Sequence, residues 1–201
     1  MKKIIITIYL LIAALGYSQT KQQNTSKPVT KLNVLKLKLT NLSAHATEEN
    51  GYTVLLSQKG DLNKDSIEDI VVCYKNNLEN MDAEDFINTP KRKCVIFLGT
   101  SSSSVIKFAE NLNTLLLPDG NGNPLAGITI KNGYFSLEHK SLFPSTDYTT
   151  IITYKFDVTL KNFIIHKNNS EEFDRVTKKI DKTNNLKETD KGKLFNQYVI
   201  Y

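Results

Sequence analysis

From residue 34 onward the chain is a series of short apolar runs broken by polar punctuation. Leu35, Leu37 and Leu39 alternate with Lys36 and Lys38. A period of two predicts a half-buried strand, with a helix as the alternative because Leu and Lys are both good helix formers. Tyr52 to Leu56, Ile67 to Tyr74 and Cys94 to Leu98 are β-type runs, and Val105 to Phe108 is a weaker one. Gly60, Asn76-Asn77, Gly99 and the serines Ser101 to Ser104 read as the turns between them.

The second half alternates more strictly. Ile128-Thr129-Ile130 and Tyr134 to Leu137 flank Lys131-Asn132-Gly133, and Asn-Gly between alternating runs is the strongest short hairpin signal. Ile152, Tyr154, Phe156 and Val158 alternate with Thr153, Lys155 and Asp157. Lys161-Asn162 then turns the chain into Phe163-Ile164-Ile165. From Lys167 the sequence is charged and polar until Phe195 to Tyr201, which reads as a last edge strand. Short runs at roughly 10–20-residue spacing with few helical patterns predict a mainly β fold. The expected form is an antiparallel sheet or sandwich-like domain with hairpins and little helix. No repeat of fixed period supports a full propeller.

The N-terminus follows different rules. Lys2 and Lys3 precede an apolar stretch of 12 residues, Ile4 to Leu15, and Gly16 and Ser18 supply small residues before Gln19. This is the layout of a secretory signal peptide cleaved after Ser18. A membrane span needs about 20 apolar residues, so the run is too short to be an anchor. With no Cys after it, lipoprotein processing is not indicated. The small residue followed by Gln resembles secreted proteins of the Bacteroidetes type. Residues 19–31 are polar and read as a flexible leader, which leaves 32–201 as a single β-rich domain. The expected location is periplasmic or secreted.

This reading changes what composition and charge mean. The 201 residues carry 26 Lys plus Arg against 21 Asp plus Glu, a formal +5. The signal segment holds two of the lysines and no acids, so the mature chain has 24 against 21, or +3. The lysines of the tail (Lys178, Lys179, Lys182, Lys187, Lys191, Lys193) are interspersed with Asp181, Glu188 and Asp190. A nucleic-acid platform would interleave Arg and aromatics on one face, so this pattern reads as a solvated surface. Two cysteines exclude an all-Cys zinc site and a disulfide-dense scaffold.

One stretch carries chemistry. Residues 60–69 read GDLNKDSIED, which places Asp61, Asn63, Asp65 and Asp69 at positions 1, 3, 5 and 9 of a loop. Ile67, at position 7, can offer its backbone carbonyl. Calcium takes 6–8 oxygens at roughly 2.3–2.6 Å, and oxygen-bearing side chains at alternate positions point inward when a loop curls round an ion. Position 12 is Val72 rather than Glu, which fits neither an EF-hand nor a dockerin.

The loop instead runs straight into the strand Ile70 to Tyr74. Strand, Dx[DN]xDxxxD, strand resembles the FG-GAP repeat of integrin-like propellers, and Lys93 to Gly99 is similar to the strand that follows in such repeats. The resemblance covers about Tyr52 to Glu110. It implies calcium bound by the side chains of Asp61, Asn63, Asp65 and Asp69 and by the backbone of Ile67. One departure is Ser66 at position 6, where Gly is usual because the turn wants φ > 0; a left-handed Ser costs roughly 1 kcal/mol. Extracellular sites of this kind bind with a Kd on the order of 10⁻⁴–10⁻³ M, so the ion would be structural. The chain also resembles small secreted bacterial proteins that combine such a loop with a later Gly/Asn/Asp turn and paired terminal strands. That likeness implies no activity.

Other features have two readings each. Asp119, Asn121 and Asn123 can start a second calcium loop or form a bare turn; three oxygens fall short of what calcium needs. Cys73 and Cys94 lie in strands that can be hairpin neighbours, bridged in an oxidising compartment or buried as small apolar residues. His45, His139 and His166 lack any zinc spacing and read as scattered surface or edge histidines. No G-x-S-x-G is present. Glu79, Asp82, Glu84 and Asp85 read as a solvated loop face. These observations together predict a non-enzymatic, exported β-domain with a structural calcium loop. It would serve in binding or adhesion to an envelope or extracellular protein or glycan. The alternatives are a periplasmic inhibitor or immunity-type protein and, after it, a secreted hydrolase working through loop carboxylates.

Overall fold

Two consecutive antiparallel meanders account for the described strands. A computed structural model of the chain describes residues 37–38, 49–79, 90–102, 104–117 and 124–200. The first meander is β2 (Tyr52–Gly60), β3 (Asp69–Asn76), β4 (Lys93–Gly99) and β5 (Ser104–Asn111), with the short β1 (Leu37–Lys38) beside β5. The second is β6 (Leu125–Lys131), β7 (Tyr134–Leu142), β8 (Thr146–Asp157), β9 (Asn162–Asp174) and β10 (Ile180–Asn184). The protein is therefore mainly β, with two antiparallel sheets, as the short alternating runs predict. Among the described residues no helix is long and apolar enough to cross a membrane.

The alternation of each strand decides which side chains fill the space between the sheets. Val71, Cys73, Cys94 and Ile96 of the first sheet share a core with Phe135, Leu137, Ile152, Tyr154, Phe163 and Ile165 of the second. Its centre is aromatic. The Phe135 ring stacks on Tyr154 at 4.9 Å and meets Phe163 edge-on at 5.7 Å, both favoured geometries for aromatic pairs. The odd and even positions of β3 and β4 are both buried. Ile70, Val72, Tyr74, Val95 and Phe97 form a second cluster on the opposite face of the first sheet. Continuous apolar runs such as Ile70 to Tyr74 are what a strand buried on both faces requires.

The hairpin at Asn132-Gly133 forms as predicted. Both residues have positive φ (54° and 78°), the backbone a tight type I′ turn needs. Elsewhere the structure extends or corrects the reading. β9 runs on through polar residues to Asp174 and pairs with β10, where no apolar pattern marks a strand. A polar segment at an edge can take its order from main-chain pairing alone. Val158 lies outside β8, 72% exposed, in the turn where Asp157 accepts the backbone N–H groups of Thr159 and Leu160.

Over its described residues, 195–200, the predicted edge strand from Phe195 does not form. Phe195–Gln197 is a 3₁₀ turn, and that geometry places Phe195 and Tyr198 on one side. Both are buried in the shared core, with Phe195 5.1 Å and Tyr198 6.1 Å from the Tyr154 ring. The Asn111 amide donates to the Phe195 and Tyr198 carbonyls, and the Asn168 amide donates to the Tyr198 hydroxyl at 2.7 Å. The segment therefore plugs the gap between β5 and β9. The signal segment, the leader, the rest of the strand predicted over 34–39, His45, and the Asp119, Asn121 and Asn123 turn lie outside the described residues, as do Asp82, Glu84 and Asp85.

Candidate functional site

The loop Asp61 to Glu68 connects β2 to β3, and its own side chains hold its shape. Asp61 accepts the backbone N–H of Asp65 at 3.1 Å on one oxygen and that of Ser66 at 3.0 Å on the other. The Asn63 side-chain Oδ1 accepts the same Asp65 N–H at 3.1 Å. Asp65 in turn accepts the Ile67 N–H at 2.8 Å, and its second oxygen accepts the Asn63 amide at 2.9 Å. Each carboxylate oxygen has more than one lone pair, so these bonds leave acceptor capacity on the same atoms. Lys64 and Ser66 both adopt left-handed backbone, with φ of 65° and 67°. Ser66 thus takes the conformation for which Gly is usual, and the Asp61 hydrogen bond to its N–H offsets part of the cost.

Asp69 differs from the other three. It is fully buried, and its two oxygens accept the backbone N–H groups of Leu62 and Gly99, each at 2.8 Å. Burial raises its pKa; these backbone bonds oppose the shift, and the charge of Asp65 adds to it. Asp69 therefore ties the start of the loop to the far end of β4. Asp65 is near enough to repel it.

Gly99 completes that joint. A β-carbon there would lie 2.4 Å from the Glu68 carbonyl oxygen and 2.6 Å from the Ile67 side chain. Only Gly lets β4 approach the loop so closely. On the other side, β-carbons at Gly60 and Gly133 would lie 2.6 Å from Ile130 and Lys64, so the loop also rests on the β6–β7 hairpin.

Asp61, Asn63 and Asp65 are thus brought together on one curl, and Asp69 lies behind it as a clamp. Among the described residues no three His, Cys, Asp or Glu side chains gather as a metal centre by themselves. A calcium set here depends on the Asn63 amide and the Ile67 carbonyl as well as on carboxylates. The Asp61, Asn63 and Asp65 oxygens along this curl keep acceptor capacity of the kind a hard divalent ion takes.

Three other expectations meet the structure differently. Cys73 and Cys94 are directly opposed in register, as hairpin neighbours. Both are free and fully buried, with sulfurs 3.5 Å apart. Burial, then the hydrogen bond to Cys73, pushes the Cys94 thiol well up.

Glu79 is not part of a solvated face. Its carboxylate pairs with Arg92 at 2.6 and 2.8 Å, and both side chains are almost wholly buried. His139 is not a surface histidine either; it is 1% exposed. Its place could have been read from the alternation Phe135, Leu137, His139, whereas nothing local announces that Arg92 will find an acid 13 residues away. His166 does stay exposed, at an extra residue of β9, with its ring edge-on to Tyr134.

The tail lysines carry ion pairs. Lys179 pairs with Asp181, Lys182 with Glu171, Lys191 with Glu188 and Lys193 with Asp190. Compared with known proteins, the chain matches no family model, no characterised protein and no solved structure.

Proposed function

We propose that this chain is an exported, non-enzymatic β-domain whose Gly60 to Asp69 loop carries a structural calcium ion. It would act as a binding or adhesion module at the envelope or outside the cell. The observation that carries the calcium reading is the curl itself: Asp61, Asn63 and Asp65 converge while Lys64 and Ser66 hold left-handed backbone. Asp61, Asn63 and Asp65 would give side-chain oxygens, Ile67 its carbonyl, and Asp69 the charge behind them. The ion would neutralise the clustered carboxylates and fix the joint between the two sheets.

Thermal and chemical unfolding of the mature chain tests this. With a Kd of roughly 10⁻⁴–10⁻³ M, 10 mM calcium should stabilise the fold by about 1.4–2.7 kcal/mol. EDTA should abolish the gain, and Asp65→Ala should not show it. No shift, or an equal shift in Asp65→Ala, overturns the calcium reading.

A further inference from the structure

Beyond the core, the inward face of the second sheet changes character. Phe135 and Leu137 on β7 are followed by His139 and Ser141, and Ile152 on β8 is followed in reverse by Thr150 and Tyr148. The apolar face thus becomes a row of hydroxyls and one imidazole. These residues line an open cleft of about 500 Å³, together with Leu116, Phe143 and Thr146. A volume of that order holds a small ligand.

His139 is the buried polar residue of this lining. The Leu116 N–H donates to its Nε2 at 3.4 Å, while Arg92 donates to the Leu116 carbonyl at 3.2 Å. Nε2 is therefore an acceptor, which puts the proton of the neutral ring on Nδ1. Nδ1 is buried with no hydrogen-bond partner. An unmet buried donor costs about 1–3 kcal/mol, so the lining carries a polar group that its own surroundings leave unsatisfied. Burial, and then the charge of Arg92, pushes the His139 pKa down to about 4, so the ring is uncharged at neutral pH.

The rest of the lining narrows the ligand's chemistry. None of the cleft's side chains brings a positive charge. Arg92 beside it is occupied by Glu79, and Lys140 points to the other face of β7. An anion would find no opposite charge. A purely apolar ligand would leave the Thr150 hydroxyl facing hydrocarbon. At the lip, Phe143 and Tyr148 meet edge-on at 5.5 Å while remaining 37% and 40% exposed. Partly exposed aromatic rings, with the Tyr148 hydroxyl held by Glu172 and other hydroxyls beside them, suit a molecule with apolar C–H faces and a rim of hydroxyls.

We propose that the cleft between His139, Ser141, Thr150 and the Phe143–Tyr148 pair binds an uncharged saccharide unit. The proposal rests on the reading of the chain as a binding module and is independent of the calcium loop. NMR titration of the ¹⁵N-labelled mature chain with N-acetylglucosamine, glucose and cellobiose tests it, with glucose 6-phosphate and indole as charged and apolar controls. Saturable shifts at Leu116, Ser141 and Thr150 with a neutral sugar are expected, weakened about tenfold in Tyr148→Ala. Thr150→Val, which keeps shape and strand preference, should also weaken binding.

No saturable shift with any neutral sugar overturns the proposal. So do equal affinity in both variants or a stronger response to either control. Binding to isolated cell-envelope fractions, measured alongside, separates the two readings. Envelope binding by the native chain with no saturable shift from any neutral sugar overturns only the cleft. Absence of both in the native chain overturns the module as well.

Discussion

The two sheets solve burial in opposite ways. In the first, β3 and β4 are buried on both faces, and their sequences are unbroken apolar runs. In the second, β7 buries every other residue from Phe135 to His139 and turns Ser136 and Glu138 outward. The first sheet behaves as an interior layer, the second as an outer wall. The Lys93 side chain shows how strict the interior is. It is almost fully buried, yet its ammonium lies 4.1 Å above the Tyr52 ring and 2.7 Å from Glu49, so its charge is compensated.

The largest expected effect probes that contrast directly. Val72 is 1% exposed on the face turned away from the shared core, and Ile151 is 37% exposed on the outer face of β8. Val72→Asp would bury an unpaired carboxylate and should cost more than about 4 kcal/mol, enough to unfold a marginal domain. Ile151→Asp should cost less than about 1 kcal/mol. Urea unfolding of both variants gives the comparison. Equal costs would show that the second face of the first sheet is not an interior.

Ion pairs sharpen it next. Arg92 and Glu79 are both almost wholly buried, whereas Lys182 and Glu171, joining β10 to β9, are 69% and 43% exposed. Removing one partner of a buried pair leaves an uncompensated charge, so Arg92→Ala should cost about 3–5 kcal/mol. Lys182→Ala should cost about 0–1 kcal/mol. The double variant Arg92→Met with Glu79→Leu should recover most of the loss in the same unfolding assay. If it does not, the pair contributes more than charge compensation.

The contrast also explains what could be read from the residues. Alternation gave the strands of the second sheet, and Asn132-Gly133 gave its hairpin, because local pattern and local turn chemistry determine both. The unbroken run Ile70 to Tyr74 carried the signal of a two-sided interior, but a run of that length says only that it is buried. The tail escapes a local reading because a short apolar stretch from Phe195 suits an edge strand until distant partners, Asn111 and Asn168, bind the Phe195 and Tyr198 carbonyls and the Tyr198 hydroxyl. At the loop, Asp61, Asn63 and Asp65 were legible from spacing. The clamp made by Asp69 was not, since its second partner, Gly99, lies 30 residues on and its importance is a close approach of backbones.

The last contrast concerns how each sheet treats a buried polar group. Near Arg92 the first sheet buries a charge and pairs it, while the second buries His139 uncharged. Protons distinguish the two strategies. The His139 pKa is about 4 in the folded chain, below the roughly 6.5 of an unfolded histidine. Between those values the unfolded state binds a proton that the folded state does not, so stability rises with pH. The full contribution is present above about pH 6.5 and is lost as pH falls towards 4, at most about 3 kcal/mol over the window. Arg92, the cation that contributes to the shift, acts in the same direction. Glu49, held below its usual range by Lys93 and Lys107 despite its burial, loses its contribution only at lower pH. Urea midpoints for the native chain should therefore fall between pH 6.5 and 4. His139→Gln, which cannot titrate, should reduce that slope and leave the part due to His166, whose pKa burial and then Lys167 also lower, together with the loss at lower pH. An unchanged slope in His139→Gln would mean that the ring is solvated and protonates freely, and the second sheet would then not hold a neutral imidazole beneath the cleft.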